Sequence, residues 1–399
     1  MGLTGVVSAE RVHIGFFGMR NAGKSSVVNK VTSQQLSVVS DVKGTTTDPV
    51  QKAMELLPLG PVVIIDTPGI DDIGELGKLR VEKTRQILSK TDIAVLVVDA
   101  TKGLQQPDFE LVKLFEEREI PYLTVYNKAD LIAKRINLKE NEIYLSAISG
   151  ENVEDFKNKL ATTMKSKENN KLIIADLIEK GDTVVLVIPI DQSAPKGRLI
   201  LPQQLTLREL LGHNCTVICC QPSELKSTLN QFKTPPKMII TDSQAFGEVA
   251  KNTPKDVMLS SFSILFARYK GDLQTLVSGA SKLSKLKDGD TILISEGCTH
   301  HRQCNDIGTV KMPNFINKFS GKSLHYEFTS GGEFPEDLSK YALIVHCGGC
   351  MINEKEMKHR MSFASDSSVP IVNYGVALAQ MNGILKRSLE PFPQIAKML

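Results

Sequence analysis

Gly18-Met19-Arg20-Asn21-Ala22-Gly23-Lys24-Ser25 reads G-x-x-x-x-G-K-S, with the apolar run Val12 to Phe17 before it and a helix-forming stretch after it. A strand entering such a loop and a helix leaving it predict a phosphate cradle. The glycines Gly18 and Gly23 let backbone N–H groups from Asn21 to Ser26, Ala22 among them, close around anionic oxygens. Lys24 supplies a point charge, and the Ser25 hydroxyl is placed to ligate Mg2+.

Three further segments follow in the order a guanine nucleotide needs. Asp66-Thr67-Pro68-Gly69 comes after the strand Pro61 to Ile65, which sets Asp66 at a strand end to hold the metal through water and the Gly69 N–H against the terminal phosphate. Asn127-Lys128-Ala129-Asp130 comes after the strand Tyr122 to Tyr126. The Asp130 carboxylate accepts from guanine N1 and N2, donors that adenine does not offer. Ser146-Ala147 then presents a backbone N–H to guanine O6. Between the first two segments, Gly44-Thr45-Thr46-Thr47-Asp48 supplies hydroxyls that reach Mg2+ only while the terminal phosphate is present, which is the behaviour of a switch.

These residues resemble the TrmE-Era-like GTPases over roughly the first 165 positions. The resemblance implies that Thr46 is the switch threonine and that Asn21 coordinates K+ beside the phosphates. Catalysis would then rest on Lys24, Thr46, Asp66 and Gly69. The pattern breaks at Ile70, where Ras-like enzymes place a water-orienting Gln, so slow intrinsic hydrolysis is expected. Glu75 and Glu82 read as solvated helix charges.

At 399 residues the chain exceeds what one core supports. Strands alternating with helices predict an α/β protein of three domains: a doubly wound P-loop GTPase sheet over 1–168, then two smaller α/β domains over 172–268 and 269–399. The polar stretch Thr162 to Lys171 marks the first boundary. In the second domain Thr183 to Pro189, Cys215 to Cys220 and Lys237 to Thr241 read as buried strands, and Asp256 to Tyr269 as a long apolar strand that pairs with a second chain. The third domain's expected strands are Thr291 to Ser295, Ser323 to Phe328, Leu343 to His346 and Val369 to Tyr374. A net charge of +3, from 48 basic and 45 acidic residues, supplies no field for a nucleic acid backbone. The apolar runs are too short to cross a bilayer, and the N-terminus carries no export or acylation pattern, so a cytoplasmic protein is expected.

The seven cysteines fall at 215 and beyond, an odd number that argues for reduced thiols. Cys215, Cys219 and Cys220 read as small hydrophobes in an apolar strand. Cys298-Thr299-His300 and His346-Cys347-Gly348-Gly349-Cys350 each follow a strand, and groups just beyond the carboxyl ends of neighbouring parallel strands converge in one crevice. Clustered Cys and His predict a metal. Cys298, Cys347 and Cys350 suit three irons of a 4Fe-4S cluster, with His346, His300, Glu296 or an exogenous group at the fourth. His301 and Cys304 read as neighbours of the site.

A GTPase head joined to C-x-H and H-C-x-x-C resembles the FeFe-hydrogenase maturation GTPases over the entire chain. The resemblance implies a dimerising middle domain, hence a homodimer, and a last domain carrying a 4Fe-4S cluster and the transient two-iron precursor of the hydrogenase active site. His300 and His346 would then be the fourth ligand or a contact to that precursor. It also implies GTP/GDP, Mg2+ and K+ as cofactors, and the radical-SAM maturases HydE and HydG and apo-FeFe-hydrogenase as partners. Two other readings compete: a ribosome-assembly or tRNA-modification GTPase with a structural metal domain, and a zinc protein in which GTP switches conformation.

Overall fold

Strand β1 (Val12–Phe17) is buried from His13 onward and sits inside a six-stranded sheet. The computed structural model that shows this describes residues 10–33, 50–67, 84, 86–165, 171–190, 199–297, 307–349 and 352–399. The chain divides into two compact units at Asn169/Asn170.

In the N-terminal unit β1 is followed by β2 (Val50–Leu56), β3 (Gly60–Asp66), β4 (Ile93–Asp99), β5 (Tyr122–Asn127) and β6 (Glu142–Tyr144), in the spatial order β2-β3-β1-β4-β5-β6. Every pairing is parallel except β2 with β3. Parallel strands covered on both faces read as continuous apolar runs, and β4 is buried throughout. Its side chains alternate between two cores: Ile93, Val95 and Val97 pack with Phe156 and Leu160, and Ala94, Leu96 and Val98 with Phe115.

The C-terminal unit holds two four-stranded sheets, parallel throughout. One contains β7 (Thr183–Val187), β8 (Thr216–Cys220), β9 (Met238–Thr241) and β10 (Met258–Ser261), ordered β10-β9-β7-β8. The other contains β11 (Thr291–Glu296), β12 (His325–Ser330), β13 (Tyr341–His346) and β14 (Ile371–Asn373), ordered β12-β11-β13-β14. One apolar core runs through both, with Leu186, Ile240, Phe262, Leu265, Val277, Leu293 and Ile344 among its members, and a second holds Val185, Val187, Ile239 and Leu259 of the first sheet. Among the described residues no helix is long and apolar enough to cross a membrane.

Two sequence expectations are corrected. The apolar stretch ending at Tyr269 is not one long strand: β10 stops at Ser261, whose Oγ accepts the Ile264 N–H at 3.2 Å and starts the helix Phe262–Lys270. That helix is enclosed almost all round, so its sequence lacks the one-sided stripe that distinguishes a helix from a buried strand. Residues 268 and 269, expected to form a domain boundary, lie inside it. The second correction concerns β8, which is an edge strand rather than a buried one. Cys215 before it is buried, and burial pushes its thiol up, whereas Cys219 is exposed.

Ile264 and Phe266 are 0% and 3% exposed. A carboxylate at either position should therefore unfold the unit, costing more than about 3 kcal/mol, rather than release a folded monomer. Urea unfolding and size-exclusion chromatography of Ile264→Asp distinguish the two, and a folded monomer of parental stability would refute the helix's place in the core.

Candidate functional site

The strand order reverses around β1, which runs beside β3 on one side and β4 on the other, leaving a crevice at its carboxyl end. The loop Gly18 to Gly23 fills that position and leads into the helix Lys24–Thr32. Its glycines are obligatory for different reasons. A Cβ on Gly18 would stand 2.2 Å from the Val97 carbonyl oxygen, and one on Gly23, at φ 88°, would stand 2.3 Å from Asn127 Nδ2. Lys24 is buried and donates to the carbonyls of Gly18 at 3.0 Å and Met19 at 2.9 Å, so its ammonium is folded back over the loop. Asn21 holds a left-handed φ of 60° at the exposed rim.

Asp66 ends β3 with its carboxylate 2% exposed. Ser25 Oγ donates to Asp66 Oδ2 at 2.7 Å, while Oδ1 is buried and has no hydrogen-bond partner among the described residues. An anionic oxygen buried without a donor, beside a hydroxyl, suits a hydrated divalent cation. The residues present fit Mg2+.

On the base side, Asn127 fastens two loops: its Nδ2 donates to Ala22 O at 3.0 Å, and its Oδ1 accepts the Ala147 N–H at 3.1 Å. Asp130 is exposed, and its Oδ1 accepts from Ser146 Oγ at 2.5 Å, which orients the carboxylate beside Ala147. Lys128, at φ 64°, reaches Asp99 Oδ2 at 2.5 Å. Burial pushes the Asp99 carboxyl up, but Lys128 and the Thr101 hydroxyl and amide outweigh it and hold the group below its ordinary range. Sequence reading missed Asp99, although an acid closing the apolar run Ile93 to Val98 was its visible signal. The structure thus brings together Gly18, Asn21, Ala22, Gly23, Lys24, Ser25, Ser26, Asp66, Asn127, Lys128, Asp130, Ser146 and Ala147 around one sheet end. Thr46, Gly69, Ile70, Glu75 and Glu82 lie outside the described residues.

The last sheet reverses order at β11, between β12 and β13. Cys347 leaves β13 there, with its N–H on Ser295 O at 2.9 Å, and its Sγ accepts the Gly297 N–H at 3.0 Å and the Gly349 N–H at 3.4 Å. Two backbone amides are thus aimed at one sulfur. Gly349 takes φ 64°, and a Cβ there would meet Met357 Cε at 2.5 Å. Cys298, His300, His301, Cys304 and Cys350 lie outside the described residues, and among the described residues no group of three or more His, Cys, Asp or Glu is arranged to hold a metal ion.

His346 is wholly buried with both ring nitrogens engaged, Nδ1 with Cys347 O at 2.8 Å and Nε2 with Arg360 Nη1 at 3.0 Å. A donating guanidinium on Nε2 assigns the proton to Nδ1. Burial, reinforced by the Arg360 cation, pushes the imidazole down to about 4. Arg360 is itself buried and donates to Glu356 Oε1 at 2.9 Å, Ser295 Oγ at 3.3 Å and Gly331 O at 2.8 Å. Nothing in the sequence singled this arginine out, because its partners are scattered over sixty-five positions. Glu296 is also buried, and its Oε1 accepts from the Tyr374 hydroxyl at 3.3 Å.

Residues 13–128 match a family described as 50S ribosome-binding GTPase. Residues 173–271 match the hydrogen maturase F dimerization domain and residues 274–391 the hydrogen maturase F tetramerization domain, the two together covering more than half of the chain. The tRNA modification GTPase MnmE of Nitrosomonas europaea is 34% identical over 150 residues, which are 36% of this chain and 33% of that protein. GTPase Der of Kosmotoga olearia is 33% identical over 147 residues, 36% of this chain and 32% of that protein. The chain thus spans about a third of the length of these relatives. Among solved structures, Era of Aquifex aeolicus bound to GDP.AlF4- has 19% identity and a TM-score of 0.36, covering 60% of this chain and 97% of that one.

Replacing Arg360 with Met should cost about 3–5 kcal/mol, since it strips the donor from a buried carboxylate and imidazole. Urea unfolding of the metal-free chain measures the loss, and a change under about 1 kcal/mol would show that the guanidinium does not hold this corner together.

Proposed function

The chain belongs to the hydrogen maturase F family, and on that premise we propose that it is a GTP-hydrolysing scaffold which binds a 4Fe-4S cluster and assembles or delivers the two-iron precursor of the FeFe-hydrogenase active site to apo-hydrogenase. The observation that carries the reading is the presence in one chain of two anion-binding crevices at sheet reversals. One is built for a guanine nucleotide. The other presents the Cys347 sulfur to two backbone N–H groups.

In the first crevice the loop amides and Lys24 bind and orient the phosphates, and Asp130, oriented by the Ser146 hydroxyl, reads guanine. Mg2+, held through Ser25, Asp66 and Thr46, would neutralise charge on the terminal phosphates. Gly69 is assigned to the terminal phosphate. Asn21, at the rim, is assigned to K+ as a substitute for an arginine finger. With Ile70 after Gly69, hydrolysis is slow.

In the second crevice Cys298, Cys347 and Cys350 would hold three irons of such a cluster. The Gly297 N–H bonds the Cys347 sulfur directly, which supports assigning both cysteine-bearing segments to one site. The two bonds on its ring make His346 a support for the Cys347 backbone, leaving His300, Glu296 or an exogenous group for the fourth iron. A weakly held fourth position gives a precursor somewhere to attach and a route to leave.

The exposed edge strand β8 supports a homodimer through residues 172–268, since an open edge invites pairing. HydE, HydG and apo-hydrogenase are assigned as partners, in the cytoplasm. The tRNA-modification names belong to relatives that match 34% to 41% of this chain.

Asp130→Asn places an amide donor against guanine donors and should weaken GTP binding by roughly 2–4 kcal/mol, as read by titration calorimetry. Parental affinity in that variant would end the assignment of guanine. Anaerobic reconstitution with iron and sulfide should give a brown protein with about four irons per chain, lost in each of Cys298→Ala, Cys347→Ala and Cys350→Ala. Hydrogenase activation by an iron-free Cys347→Ala protein would remove the proposed site, and a colourless zinc protein would favour the switch reading.

A further inference from the structure

The last sheet carries a second concave surface, at the end away from Cys347. β14 runs beside β13 so that Asn373 stands next to His346 at one end, and Val369 to Ile371 lie toward the other. There a cavity of about 680 Å3 opens between the start of β14, the helix Leu273–Ala280 with the turn Ser281–Lys285 that continues it, and the chain leaving the helix Glu354–Asp366. Its floor is close-packed. A Cβ on Gly279 would stand 2.0 Å from Ile371 O, so helix and strand meet backbone to backbone, and Val369 and Ile371 are buried there.

The walls are polar and their charge is unbalanced. Hydroxyls come from Thr275, Ser278 and Ser281 on one side and from Ser365 and Ser368 on the other. Ser281 Oγ donates to Ser278 O at 2.7 Å, whereas the hydroxyls of Ser278, Ser365 and Ser368 make no hydrogen bond among the described residues. Lys282 and Lys285 also line the cavity, and neither pairs with a carboxylate among the described residues. Asp272, the one acid in the lining, is committed to its own helix: its carboxylate accepts the N–H groups of Gln274 at 3.0 Å and Thr275 at 3.3 Å and the Thr275 hydroxyl. The lining holds no aromatic ring, histidine or cysteine, so it offers nothing to stack a base and no imidazole or thiol chemistry.

We propose that this cleft binds a small, non-aromatic phosphorylated compound, its phosphoryl group held by Lys282 and Lys285 and its hydroxyls by the serines. An ammonium is a point charge with rotatable donors and suits tetrahedral phosphoryl oxygens, whereas a planar carboxylate is matched by an arginine fork, which the lining lacks. Serine hydroxyls both donate and accept, as the hydroxyls of a polyol do. The volume lies within the roughly 300–1,000 Å3 of small-molecule sites. Neither crevice described above contributes a residue, so the cleft stands apart from the nucleotide and cysteine sites.

The test uses the full chain with GDP and Mg2+ present, glycerol 3-phosphate as the probe and 31P line broadening as the readout. The parent should show saturable broadening in the millimolar range. Lys282→Met and Lys285→Met should each weaken it about three- to tenfold, and the double variant should abolish it. Lys386→Met, on an exposed position outside the cleft, should leave it unchanged. Ser278→Ala with Ser365→Ala should weaken glycerol 3-phosphate more than inorganic phosphate, because only the former has hydroxyls to lose. Equal urea midpoints show that the variants fold, and Lys282→Gln replaces the Met variant if that one does not. Absence of saturable broadening in the parent, parental broadening in the double lysine variant, or an equal loss in Lys386→Met would each overturn the proposal. Broadening that GDP abolishes would place the probe in the nucleotide crevice and overturn it as well.

Discussion

A parallel sheet whose strand order reverses cannot cover the carboxyl ends of the strands at the reversal, because the connections depart to opposite sides. The two candidate sites of this chain obey that constraint. At β1 the uncovered end receives the loop Gly18 to Gly23, and at β11 and β13 it receives the segments beginning at Gly297 and Cys347. The backbone amides left unpaired at such ends point into the crevice and meet negative charge. Phosphate oxygens and cysteine sulfur are alike in that respect, which lets one architecture serve a nucleotide in the N-terminal unit and hold the Cys347 sulfur in the C-terminal one.

The likeness extends to how the loops are held. Lys24 is buried and bonded to Gly18 O and Met19 O, and Lys270 is buried and bonded to Gly349 O and Ile352 O. In both cases an ammonium bonded to loop carbonyls ties the loop to a helix. The two lysines differ in origin. Lys24 belongs to the helix that follows its own loop, whereas Lys270 arrives from another element.

The first site was legible in the sequence because its residues are local: four short segments, each tied to a strand end by spacing. Asp99 escaped because its partner Lys128 lies 29 positions away, and a lone acid after an apolar run has no motif. The strands of the last sheet were readable to within a few residues, since buried parallel strands are continuous apolar runs. The same property concealed the helix Phe262–Lys270, whose enclosure on nearly every side removes the periodicity by which a helix is recognised. The edge character of β8 was invisible for the converse reason: Val217, Ile218 and the cysteines are apolar, but only topology decides which strand lacks a neighbour. Arg360 and Lys270 were unreadable because buried charges are exceptions to composition, and their partners are assembled only by the fold.

The misread helix is the element on which the C-terminal unit turns. It packs in the core shared by both sheets, its first turn is capped from β10, and its last residue holds the loop of Cys347. A helix enclosed in a close-packed core moves as a body or not at all, because small displacements cost contacts on every face. Continuity of the core across both sheets follows from the same fact: divided at residues 268 and 269, the chain would separate this helix from the ammonium that terminates it, and expose Ile264, Leu265 and Phe266 on one side and the carbonyls of Gly349 and Ile352 on the other.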